Sequence, residues 1–134
     1  YRVLTPGASD SQLDSTSTAE QAKFKPKAVE LKQGISVDTL IRQGVVKSPD
    51  LVKIDVDGNE VLILQGLEKL LSGAQAPRAI QVEVNPRYPE LLDYLEGTGF
   101  RLAERHYTVY QERRLAAGDY TPEQAGYNGI FRKN

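Results

Sequence analysis

Residues 50–84 constrain the fold of this chain more than any other stretch. Two runs, "LVKIDV" (51–56) and "AIQVEV" (79–84), carry apolar residues at every second position, the period of a strand with one buried face. Between them Ile63, Leu64, Leu67, Leu70 and Leu71 recur at helical spacing, and Gly73 and Pro77 mark the stop. A helix expected over Asn59–Ser72 fits within residues 57–78, a link long enough to cross over and set the two strands parallel. A second helix is expected from Pro89 through "PELLDYLEG" to Gly97 and Gly99. "FRLAERHYTVY" (100–110) reads as a further strand, and "YNGIFRKN" (127–134) as a closing strand after an Asn-Gly turn. The expectation is an α/β fold with a mostly parallel sheet and helices on its faces.

Upstream, residues 7–34 are poor in large apolar side chains and read as a long polar loop or weak hairpin. "YRVLT" before them suits the end of a strand. "ISVDTLIRQG" reads as an extended lead-in, then one or two helical turns from about Asp38 to Gly44. The 134 residues are expected to form a single domain, 1–134. The chain starts at Tyr1 and contains no Met, so it reads as a piece of a longer protein.

Net charge is −1, too little for a basic field that would hold a phosphate backbone, so nucleic acid is not the expected partner. There is no cysteine, hence no disulfide framework and no thiolate metal site. No apolar run approaches the roughly 18 residues that span a bilayer, and no signal peptide is visible. The expected setting is cytoplasmic, without membrane or metal, and the expected partner is a small molecule.

In an open α/β sheet, ligands bind outside the carboxyl ends of the strands. Asp55 and Asp57 end the first strand, and Glu83 and Asn85 end the second. Strands about 4.8 Å apart would turn these groups to one crevice. An unpaired buried carboxylate costs several kcal/mol, so each must be exposed, paired or used. Lys53 is the expected charge partner of Asp55 or Glu83. Asp57 is expected to cap the helix, with Glu60 completing a capping box. Asp55 ends a strand too early to cap and stands with Glu83 as a functional candidate.

Other patterns fit less well. A calcium loop counted from Asp55 meets glycine at the fourth position and Gly66 where a glutamate is required. "GTGF" gives only Gly-x-Gly, at the wrong end of the sheet. His106, the single histidine, stands among aromatics on a strand and is read as structural. "DVDGN" resembles the haloacid-dehalogenase-type phosphatases, with Asp55 as nucleophile and Asp57 as acid. Here Asn59 and Glu60 run directly into a helix and no downstream acidic pair follows, so this stays the alternative.

"SVDTL", "PDLVKIDVDGNEVLILQGLEKLL" and "PRAIQVEVN" together are similar to the carboxyl-terminal half of FkbM-family S-adenosylmethionine-dependent methyltransferases. The correspondence runs through Val37-Asp38-Thr39-Leu40, Lys53 to Gly58, Glu60, Leu64-Gln65-Gly66 and Val82-Glu83. It covers about residues 36–100, with "YNGIFRKN" similar to the family's closing strand. The resemblance implies a Rossmann-like methyltransferase fold, with residue 50 onward as its strands four to seven. It implies methyl transfer from S-adenosylmethionine to a hydroxyl of a sugar or secondary metabolite. Asp55 would lie nearest cofactor and substrate, and Glu83 would position or deprotonate the acceptor. Ser9, Asp10 and Asp57 would join Asp55 in holding the cofactor, and a homodimer is allowed for. The family's glycine-rich cofactor loop has no counterpart here. That sets an active enzyme against a non-catalytic fragment or binding module.

Overall fold

The alternating apolar residues form one face of a sheet, and the helical leucines cover it. The computed structural model describes residues 33–56, 58–86 and 89–133. The chain divides into two units, 1–34 and 35–134, and the architecture below is that of the second. The expected strand end at "YRVLT" and the polar stretch 7–34 lie outside the described residues, apart from its last two.

In order, the elements are α1 (Val37–Arg42), β1 (Leu51–Ile54), α2 (Glu60–Gln65), α3 (Glu68–Ser72), β2 (Ala79–Val84), α4 (Glu90–Gly97), β3 (Phe100–His106), α5 (Val109–Ala116) and β4 (Tyr127–Lys133). Among the described residues the sheet has the order β1-β2-β4-β3. β1 and β2 are parallel, with Val52 opposite Ile80 and Ile54 opposite Val82. β4 runs antiparallel to both β2 and β3. The sheet is therefore mixed: among the described residues β1, β2 and β3 point one way and β4 runs against them. A chain leaving β3 through the short α5 can return beside it as an antiparallel neighbour without a long crossover.

Ile54, Ile80, Val82, Val84, Phe100, Tyr127 and Phe131 form the core with Leu64, Leu67, Leu70, Leu71, Leu91 and Leu95 of the helical layer. Each such side chain contributes about 1.5–3 kcal/mol by leaving water. The opposite face carries Leu51, Lys53, Gln81, Glu83 and Arg132, half-buried or exposed.

The expected helix over 59–72 is two helices, because the second has its own cap. Asp38, on α1, accepts from the backbone N–H groups of Lys69 (2.8 Å) and Leu70 (3.0 Å), using both carboxylate oxygens. Asp38 N–H in turn donates to Gly66 O at 3.1 Å. At the other end of α3, the Lys133 ammonium donates to Leu71 O, and to Thr98 O at the end of α4 at 2.7 Å. It also stands 5.0 Å from the Phe100 ring centroid. An anion at its amino end and a cation at its carboxyl end complement the dipole of this five-residue helix. The Tyr94 hydroxyl ties α4 to α2 by donating to Leu64 O at 3.3 Å. Burial, then Glu68 and Asp38, push its pKa up.

Three further features depart from the expectations. The strand from Phe100 stops at His106, and α5 begins with a capping box in which Thr108 and Gln111 each accept from the other's backbone. Asn128 and Gly129 make no turn but pair with Glu83 and Val82 inside the ladder. A Cβ at Gly129 would stand 2.6 Å from the Phe131 ring, so only glycine fits there. Finally, β3 shifts register between Leu102 and Glu104. Strict alternation would place Glu104 on the core face with Phe100 and Leu102. The extra residue turns it to the outer face, where Arg132 meets it at 3.0 Å.

Asp38→Ala should lower stability by about 1–2 kcal/mol, the loss of a cap. Lys133→Met, which keeps the stem and removes the charge, should cost about 1.5–3 kcal/mol. Both are read from urea midpoints at constant m-value. Because both residues hold α3, the double variant should depart from additivity.

Candidate functional site

The carboxyl ends of β1 and β2 form a rim that brings together two of the sequence-predicted residues, Asp55 and Glu83. The two strands are parallel neighbours, and Lys53 stands opposite Gln81. Continuing that register one residue past Ile54 and Val82 sets Asp55 beside Glu83, on the face turned away from α2, α3 and α4. Both residues are exposed. Asp55 makes an ion pair with Lys53 at 2.8 Å, with side chains 63% and 59% exposed respectively. A pair this wet contributes at most about 1 kcal/mol, so its effect is to orient the carboxylate rather than to stabilise the fold.

The turn after β1 depends on Gly58, whose φ is +90°. Its N–H donates to Glu60 Oε1 and to Val56 O, both at 3.2 Å. Helix α2 starts at Glu60 with Asn59 as its N-cap residue. The capping box expected from Asp57 and Glu60 is therefore out of register: Glu60 is the first helical residue, and a box from Asp57 would need it to be the third. Glu60 does hold the turn, through Gly58. Asp57, Ser9 and Asp10 lie outside the described residues, and the alternative pairing of Asp55 with Asp57 falls there with them.

Asn59 was not singled out in the sequence. Its residue is 5% exposed, and its side-chain oxygen Oδ1 has no hydrogen-bond partner. An asparagine after glycine reads as an ordinary turn or cap residue, so no sequence signal distinguished it.

Helix α5 also reaches this rim. A Cβ at Gly126 would meet the Gln111 side chain at 3.2 Å and Val84 O at 3.3 Å, so Gln111 of α5 comes close to the carboxyl end of β2. Val109 and Tyr110 at its start are exposed, 63% and 62%. Arg114 fastens the helix to the turn that follows, pairing with Asp119 at 3.1 Å and standing 5.1 Å from the Tyr120 ring centroid. The sequence signal for α5 was present in Thr108 and Gln111, spaced as a capping box.

His106 ends β3, on the opposite side of the sheet order from β1, and is not brought to Asp55. Its Nε2 lies 3.2 Å from Glu104, which also meets Arg132, in an exposed cluster. Among the described residues no group of three or more His, Cys, Asp and Glu side chains converges as a metal site would. No helix among them is long and apolar enough to cross a membrane.

The family model described as "Methyltransferase FkbM domain" matches residues 3–102, which is 100 of the 134 residues. No curated protein and no solved structure matches the chain significantly.

Gly58 has open space around a would-be Cβ, so replacing it strains only the backbone. Gly58→Ala should cost about 1–2 kcal/mol, and Gly58→Asn less, because asparagine tolerates positive φ. Urea unfolding of the two variants checks the order.

Proposed function

The chain belongs to the FkbM methyltransferase family, and we propose that it serves O-methylation: a methyl group moves from S-adenosylmethionine to a hydroxyl of a small acceptor, a sugar or secondary metabolite. The observation that carries this reading is the family match through residue 102, which spans both strand-end carboxylates. A Rossmann-like arrangement and a cytoplasmic setting go with it.

When bound, the cofactor supplies a methyl carbon made electrophilic by the sulfonium. The protein has to bring the acceptor oxygen in line with that carbon and take the hydroxyl proton as the new bond forms. Glu83 is the proposed base, a carboxylate at the mouth of its strand. Asp55, oriented by Lys53, is proposed to hold the acceptor and the cationic end of the cofactor on the neighbouring strand. The chemistry of the donor set fits. Two carboxylates and an unpaired carboxamide oxygen are acceptors only, and the cofactor presents a sulfonium, an ammonium, ribose hydroxyls and an adenine amine. Ser9, Asp10 and Asp57 remain the other proposed cofactor contacts.

Calorimetry on the intact protein tests this. S-adenosylmethionine and S-adenosylhomocysteine should bind in the micromolar range, and Asp55→Asn should weaken both at least tenfold. Glu83→Gln should leave binding nearly intact and lower kcat by about 10²–10⁴. An intact protein that binds neither compound is not the proposed enzyme.

A further inference from the structure

Asn59 is the one polar residue in the buried set among the described residues, and its Oδ1 is unpaired. Leaving a buried acceptor without a donor costs about 1–3 kcal/mol, and native proteins retain few such groups.

The position makes this more pointed. Asn59 is the N-cap residue of α2, where asparagine is among the best cappers. Elsewhere in this protein polar N-cap residues do cap. Ser36 and Thr108, with φ/ψ of −72°/148° and −72°/158°, accept from the N–H groups of Thr39 and Gln111. Asn59 has φ −117° and ψ 18°, outside the extended region that capping uses, and makes no side-chain cap bond. The turn set by Gly58 and closed by Glu60 thus denies Asn59 its usual partner while burying it, four residues beyond Asp55 at the carboxyl end of β1.

We propose that Asn59 Oδ1 is an acceptor kept for a ligand, and that it receives a hydrogen bond from an N–H or O–H of bound S-adenosylmethionine. This rests on the methyltransferase reading. The cofactor is favoured over the methyl acceptor on chemical grounds. The acceptor's hydroxyl must lose its proton, which a neutral carboxamide cannot take up. The cofactor's ammonium, ribose hydroxyls and adenine amine keep theirs and need acceptors of this kind. Asn59 is thus a binding residue rather than a base.

The test uses the intact protein and S-adenosylhomocysteine, which retains those donors and is unreactive. Asn59→Leu, of similar size, removes the lone acceptor. Its ligand-free unfolding midpoint should be unchanged or raised, while its affinity by calorimetry falls about tenfold, or about 1.4 kcal/mol. In the wild type, the Asn59 side-chain amide NMR resonances should shift as the compound is added. Unchanged affinity in the variant, or resonances unmoved at saturation, overturns the inference. If the leucine variant does not fold, the resonances alone decide. A wild type that fails to bind the compound sinks the methyltransferase reading itself, whereas normal binding that ignores Asn59 sinks only this assignment.

Discussion

A parallel strand pair cannot be closed by a turn. The chain must leave the sheet, cross one face and return, and the crossing segment has to bury something on the way. The pairing of β1 with β2 imposes that requirement here, and most of the structure follows from it. Leu64, Leu67, Leu70 and Leu71 are placed by the crossover over Ile54, Ile80 and Val82, and α4 adds Leu91 and Leu95 to the same layer. The crossover is short and broken, so helical propensity alone would hold it poorly. Its second helix is instead fastened from outside. Asp38 meets its amino end and Lys133 its carboxyl end, from elements 31 residues before Lys69 and 62 after Leu71. The first and last elements of the unit 35–134 thus close on the helix that makes the parallel pair possible.

Putting α2, α3 and α4 on one face leaves Lys53, Asp55, Gln81 and Glu83 on the other. These four stand there at little cost, since none is deeply buried. Their alternation with Val52, Ile54, Val82 and Val84 is one pattern with two consequences: the same period that builds the core lifts the acidic groups to the opposite face. On β3 the parity of the sequence is wrong for this, and a bulge corrects it by moving Glu104 to the side of Arg132.

What the sequence reveals about this fold follows from that period. β1, β2, α4 and β4 were legible because each is amphipathic over its own length, and the placing of Asp55 and Glu83 came with the strand parity. The break between α2 and α3 was not legible, because its cause is a carboxylate 31 residues away. The bulge at Leu102–Glu104 and the in-strand Asn128-Gly129 were hidden for a similar reason, being set by neighbouring strands and by the Phe131 ring. Helix α5 is different: its capping box lay in plain view, and the aromatic run "HYTVY" was read through it as strand. Asn59 had no local signature at all. Its burial and the unpaired state of its oxygen are properties of the packed turn.

That contrast bears on how the rim divides its work. Asp55 and Glu83 are exposed, so they cost the fold little. Asn59 is the reverse: a buried acceptor without a donor, next to Gly58 between β1 and α2. Glycine takes its backbone at little cost, whereas the unpaired acceptor costs about 1–3 kcal/mol. A turn serving only to connect β1 to α2 could relieve that cost by letting Asn59 take extended backbone and cap the helix, as Ser36 and Thr108 do for theirs. The cost falls instead on the connection that follows directly on Asp55. A buried oxygen without a donor does carry a cost, and its persistence distinguishes this turn from the other helix starts among the described residues.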